Sequence, residues 1–252
     1  VTAVAALVCL VELYTALNQA GYRPRLFVGG ASTLLLCGAA TFQGTSTFDL
    51  TGLALVTIVV GSLGGELSRR EYTSGLTDWA LTLASSLYIG GLLSYYILLH
   101  RLETPLEGGW LALLQLTPGA AWVFLVLSIT WCQDTAAYIV GRALGRHHLA
   151  PVISPAKTWE GAIGGFFVSI LVAMLAVPVL GLPIGSLDAA ILGGIGGIVG
   201  PIGDLAESLI KRRIGLKDMS NLIPGHGGIL DRADSMLFTA PVLYYGILLL
   251  IS

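Results

Sequence analysis

The sequence predicts an all-α fold, a polytopic transmembrane helical bundle with about eight spans. Of its 252 residues, 55% are hydrophobic and only 11% are charged. A water-facing domain carries about a quarter charged residues, so lipid must cover much of this surface. The apolar residues fall into eight runs, each near the ~20 residues that a helix needs to cross the hydrocarbon core. None of the runs shows the period-two alternation of a membrane β-barrel.

Taken in order, the runs are 1–18, 26–43, 50–66, 79–99, 111–132 (or on to 140), 161–182, 189–210 and 229–251. The first opens on Val1 with no basic stretch ahead of it, and so does not read as a signal peptide. The seventh contains Gly193, Gly194, Gly196 and Gly197, which would let helix backbones approach closely in lipid. Cys9, Cys37 and Cys132 all lie in apolar runs with no ligand spacing, as expected of buried free thiols rather than a zinc site or a disulfide framework. Residues 1–110 form an N-terminal helical region and 111–252 a catalytic region, within one integral membrane unit. No internal repeat is evident, which weakens an inverted-repeat transporter.

Net charge is −2, so placement matters more than sign. Alternate connections hold twelve basic residues on one side (Arg23, Arg25, Arg69, Arg70, Arg142, Arg146, Lys157, Lys211, Arg212, Arg213, Lys217 and Arg232) and one, Arg101, on the other. The basic side is expected to face the cytoplasm. The two richest connections, 141–160 and 211–230, are too polar and too crowded with Pro, Gly and His to be plain linkers.

The chemistry concentrates there. Asp204, Glu207, Ser208 and Lys211 recur at three- and four-residue spacing and share one helix face. A carboxylate inside a membrane helix costs at least a few kcal/mol unless it is paired, metal-bound or facing water. The bland reading is a Glu207–Lys211 ion pair with Asp204 capped locally. Lys217 and Asp218 follow, then Pro224-Gly225-His226-Gly227-Gly228, then Asp231, Arg232 and Asp234 at the start of the last span. Those glycines free backbone N–H groups to face an anion. Capping accounts for one of the two aspartates, because acids favour a helix N-terminus. Hard oxygen ligands beside basic residues suit Mg²⁺ and phosphates, and a second cation stays open.

In the other connection Asp134 could bind metal or ribose, or pair with a base. Lys157, flanked by Ser154, Thr158 and Trp159, suits a phosphate. His147 and His148 read as basic-loop residues, and His226 as either a loop brace or a phosphate contact. Clustered acids and bases at the mouth of a helical bundle imply phosphoryl or nucleotidyl transfer, with one substrate drawn from lipid. They do not name the nucleotide.

These residues resemble phosphatidate cytidylyltransferases, the CDP-diacylglycerol synthases. The family's C-terminal motif is matched by Ser208, Lys211, Arg212, Lys217, Asp218, Pro224, His226, Gly227, Gly228, Asp231, Arg232 and Asp234, with Gly203-Asp204 and Glu207 upstream. Its middle block is matched by Asp134, Ala137-Tyr138, Gly141, Gly145, His147, Leu149-Ala150-Pro151, Ser154-Pro155, Lys157-Thr158-Trp159 and Gly161. The specific matching covers about 130–240. The resemblance implies CTP + phosphatidate → CDP-diacylglycerol + pyrophosphate, with Mg²⁺ on Asp204 and Asp231. Lys157, Ser208, Lys211, Asp218 and Asp234 are then expected in catalysis. Asp134, Ser154, Arg212, Lys217, His226 and Arg232 are expected in substrate binding. It further implies a homodimer in a bacterial inner membrane, a cytoplasm-facing site, no nucleic-acid partner, and a nine-helix pattern with one more N-terminal span. The rivals are a transporter and a cytidylyltransferase for another lipid phosphate. The Asp-Gly-x-x-Ala-Arg pattern of CDP-alcohol phosphotransferases is absent from the sequence.

Overall fold

A computed structural model describes residues 1–45, 47–67, 75–109, 116–220, 222 and 227–251. Among them run eight helices: α1 (Thr2–Gln19), α2 (Leu26–Phe42), α3 (Leu50–Leu67), α4 (Gly75–His100), α5 (Pro118–Leu144), α6 (Trp159–Leu180), α7 (Ser186–Arg213) and α8 (Leu230–Ile251). Six of these, all but α2 and α3, are long and apolar enough to cross a membrane, and the other two are shorter apolar helices. The all-helical reading therefore holds, run for run. One small addition is an antiparallel hairpin, β1 (His148–Ala150) with β2 (Ser154–Thr158), in register His148↔Thr158.

Three helices differ in their bounds from the sequence reading. The fifth span starts at Pro118 rather than near 111, and residues 110–115 lie outside those described. Thr117 caps it by accepting from the Ala120 amide at 3.3 Å, and Pro118 occupies the first helical position, where its missing N–H costs nothing. The same helix runs on to Leu144. The fourth begins earlier, at Gly75, and contains a π-helical turn at Leu87–Gly91. That turn sets Gly90 against α2, where a Cβ would lie 2.8 Å from the Thr33 Cα. The seventh extends to Arg213, so the whole stretch from Asp204 to Arg212 is helical.

Contacts divide the chain into two units, Val1–Ile97 with Lys211–Ala233, and Leu98–Ile210 with Asp234–Ser252. In the first, Leu10, Leu13, Leu17, Leu36, Ile58 and Ile89 are buried. The Tyr14 hydroxyl donates to the Thr82 carbonyl at 3.1 Å. Arg25 is held at three points: its amide donates to Thr82 Oγ1 at 2.9 Å, and its guanidinium pairs with Glu66 at 2.9 Å and reaches the Gly65 carbonyl at 2.9 Å. The start of α2 is thereby tied to the end of α3 and to the first turns of α4.

In the second unit Trp122, Leu125, Ile129, Leu192, Leu237, Leu243 and Ile247 form the interior. The glycines of α7 do what small residues do in lipid, where packing rather than hydrophobicity drives association. A Cβ on Gly193 would lie 2.7 Å from the Ile170 Cα of α6, and one on Gly197 would lie 3.0 Å from the Phe166 Cα. Thr130 and Thr239 share a hydroxyl hydrogen bond of 2.9 Å between α5 and α8.

Candidate active site

In the second unit the hairpin is built to present Lys157. Thr158 caps α6, its hydroxyl accepting from the Gly161 amide at 3.2 Å. The Trp159 amide donates to the His147 carbonyl at 2.9 Å. In the first turn of α6 the Glu160 carboxylate accepts from the Arg146 and His147 amides at 3.2 and 3.3 Å and pairs with His147 Nδ1 at 2.6 Å. His147 is thus a brace for the hairpin. Lys157, so anchored, reaches α7 and pairs with Asp204 at 2.5 Å while donating to the Pro201 carbonyl at 3.3 Å. The two side chains keep 19% and 31% exposure.

Asp204 also accepts from the Ser208 hydroxyl at 3.3 Å, one turn along the same face of α7. Gly203 lets α7 come against α8, since a Cβ there would lie 2.7 Å from the Asp234 carbonyl oxygen. Asp134 on α5 accepts from the Ser235 hydroxyl at 3.3 Å. The charges of Asp204, Glu207 and Asp134 all act on Asp234, and those of Asp204 and Lys157 act on Asp134. Asp134, Asp204, Glu207 and Asp234 thus belong to one unit, with Lys157 paired to Asp204. Glu207 is completely buried.

The first unit holds a second lysine–carboxylate pair. Lys211 meets Asp231 at 2.7 Å, with side chains only 12% and 8% exposed. Asp231 sits in the first turn of α8, where a negative charge is favoured. Its carboxylate also accepts from the Gly228 amide at 2.7 Å and from the Met219 amide at 3.0 Å. Gly227 just before has φ of 78°, a conformation that glycine adopts without strain. Capping and ion pairing are thus combined in one aspartate.

These donor sets suit a hard cation in chemistry, since every candidate ligand is a carboxylate oxygen. The acids around Asp234 favour added positive charge. Asp231 already holds an ammonium and two amides, so a cation there would have to take the place of Lys211. Among the described residues, no three His, Cys, Asp or Glu side chains form a ready-made ligand group.

The profile of the cytidylyltransferase family matches residues 1–250. The chain belongs to the cytidylyltransferase family. Among its relatives, a phosphatidate cytidylyltransferase of Synechocystis is 40% identical over 189 residues, covering 70% of this chain and 64% of that protein. The phosphatidate cytidylyltransferase of Staphylococcus epidermidis is 34% identical over 221 residues, covering 87% and 77%. An Escherichia coli protein named "Uncharacterized protein YnbB" is 40% identical over 168 residues, covering 66% and 54%. The chain spans between about half and two thirds of the length of several such relatives.

Set out on this cytidylyltransferase fold, the expected site residues form two groups. Asp134, Lys157, Asp204, Ser208 and Asp234 lie in the second unit, with Ser154 at the start of β2. Lys211 and Asp231 are paired in the first unit, where Arg212, Lys217, Asp218 and Arg232 are exposed. The Arg212 guanidinium closes the end of α7 by donating to the Leu216 carbonyl at 3.2 Å. His226 lies outside the described residues.

Sequence reasoning passed over Glu12. This residue of α1 is 6% exposed and accepts from the Ser220 hydroxyl and from the Ile229 and Leu230 amides. The signal was present: a lone carboxylate in the middle of an apolar span needs a partner. Gln133, beside Asp134, was also missed. It is 1% exposed, and a Cβ on Gly165 or Gly200 would lie 2.9 or 2.8 Å from its amide group.

Proposed function

We propose that this cytidylyltransferase-family enzyme joins CTP to phosphatidate, giving CDP-diacylglycerol and pyrophosphate. The observation that carries the reading is the repeated lysine–carboxylate pairing, Lys157 with Asp204 and Lys211 with Asp231, at positions of the family's motif. Each pair offers an ammonium that can turn to a phosphate and a carboxylate that can turn to a metal. The names of the Synechocystis and Staphylococcus epidermidis relatives support the choice of phosphatidate.

The phosphomonoester of phosphatidate has a second pKa near 6, so its oxygen is largely ionised at neutral pH and needs no strong base. That oxygen bonds to the α-phosphorus of CTP, and the bond from the α-phosphorus to the bridging oxygen breaks to release pyrophosphate. The protein's work is to hold two anions together and offset their repulsion. Lys157, Lys211 and Arg212 bind phosphate oxygens, with Lys217 and Arg232 adding positive charge. Ser154, Ser208 and His226 donate hydrogen bonds. Asp134, Asp218 and Asp234 orient ligands or take a second cation. Asp204 and Asp231 are the carboxylates proposed to hold Mg²⁺, which supplies charge neutralisation at the phosphates. Twelve basic residues on alternate connections support a cytoplasm-facing site, and the family pattern supports a homodimer.

The test is pyrophosphate release by purified, detergent-solubilised protein given CTP, phosphatidate and Mg²⁺. Release requires all three, and Asp204→Asn or Asp231→Asn abolishes it in a folded protein. Equal rates with dCTP or ATP, or with another lipid phosphate alone, would redirect the substrate assignment. Solute uptake into vesicles without pyrophosphate would replace the enzyme reading by a transporter.

A further inference from the structure

We propose that Glu12, on α1, is a positioning residue for the active site that fixes the start of α8 and through it Asp231. The inference rests on the reading of Asp231 as a site residue given above. Glu12 lies inside the first span, where an unsatisfied carboxylate is costly. Three donors meet it. Its Oε1 accepts from the Ser220 hydroxyl at 2.6 Å and the Ile229 amide at 3.0 Å, and its Oε2 accepts from the Leu230 amide at 2.8 Å.

Amides at the start of a helix have no acceptor within the helix. Ile229 and Leu230 stand at the start of α8, and their acceptor is a side chain from another helix, more than two hundred residues away in sequence. The neighbouring amide, Gly228, donates to Asp231 at 2.7 Å. On the other strand of the connection the Met219 amide goes to Asp231 and the Ser220 hydroxyl to Glu12. Two carboxylates thus take adjacent donors from the same two chain segments. If one moves, the other loses its frame.

The fit is close. A Cβ on Gly228 would lie 2.7 Å from Glu12 Oε1 and 2.8 Å from Ser220 Oγ. The second glycine of the His-Gly-Gly stretch is therefore where Glu12 enters.

The bland alternative is that Glu12 merely stabilises α1. It is separated by measuring two quantities in full-length detergent-solubilised protein: hydrogen exchange of the Ile229 and Leu230 amides without substrates or Mg²⁺, and the Mg²⁺ concentration for half-maximal pyrophosphate release. Glu12→Gln can keep one oxygen for Ser220 and Ile229 but turns an NH₂ toward the Leu230 amide. We expect at least tenfold faster exchange, a several-fold higher Mg²⁺ requirement and a lower kcat. Leu13→Ala, which cuts a buried contact on the same helix, leaves all three near wild type at equal thermal stability. Ser220→Ala removes a single donor and shifts the same readouts less, which keeps the test available should Glu12→Gln fail to fold.

Wild-type exchange in both Glu12→Gln and Ser220→Ala overturns the proposal. So does faster exchange with an unchanged Mg²⁺ requirement and kcat, and so does Leu13→Ala reproducing the whole effect. Should wild-type protein release no pyrophosphate from CTP and phosphatidate, the substrate reading fails, and the exchange data alone decide whether Glu12 holds α8.

Discussion

Removing the ammonium of Lys211 should strand a buried charge. Asp231 is 8% exposed and Lys211 12% exposed, at 2.7 Å. Breaking a buried pair by deleting one partner typically costs about 3–5 kcal/mol. Here Asp231 keeps the Gly228 and Met219 amides, so Lys211→Met is expected at the low end, about 3 kcal/mol. Asp231→Asn can keep an oxygen toward those amides and turns its NH₂ to Lys211, losing a charge-assisted hydrogen bond of about 2 kcal/mol. The double variant leaves no unpaired charge and should cost about 2 kcal/mol less than the sum, as contacting residues do in a double-mutant cycle. Unfolding by SDS in mixed micelles measures this. Cys9 and Cys37 are buried and report unfolding by becoming reactive to a thiol reagent, with Cys132, which is only partly buried, replaced by Ser to lower the background. Additivity within about 0.5 kcal/mol would show that the two residues are energetically independent and refute the pairing argument.

Two further outcomes follow from the second unit. Lys157→Ala removes the partner of Asp204 and a phosphate donor, and a lost charge-assisted hydrogen bond of about 1.5–3 kcal/mol corresponds to roughly a ten- to hundredfold higher apparent requirement for CTP or phosphatidate; unchanged titrations of both would remove Lys157 from the site. Gly193→Ala places a methyl against the α6 backbone at Ile170 and should destabilise by about 1–3 kcal/mol through overpacking, seen in the same SDS titration; wild-type stability would mean that the glycine is there for another reason.

Helix existence was legible because it depends on composition over a long window. Runs such as 26–43 and 161–182 read directly as α2 and α6. Helix ends depend on local chemistry that competes with that pattern, which is why the Thr117-Pro118 start was misplaced. Within the site, the partnership of Asp204 with Ser208 followed from four-residue spacing on one helix. The pairing of Lys157 with Asp204 joins residues far apart in sequence through a hairpin, and that of Lys211 with Asp231 crosses a connection rich in glycine. No periodicity encodes such contacts. Glu12 lay in the part of the chain where only the apolar average was weighed, so a single polar exception to that average went unused.

The motif that marks the family is divided between the two units. Its portion from Lys211 to Ala233 groups with residues 1–97, while the stretch from Leu98 to Ile210 groups with the C-terminal helix. A hybrid made by joining the front half of one homologue to the back half of another at residue 110 would therefore pair a foreign α1 with this chain's Ser220, Ile229 and Leu230. Swaps that carry 1–97 together with 211–233 from the same parent keep those partners matched. The least distinctive stretch of sequence is thus tied by packing to the most distinctive one.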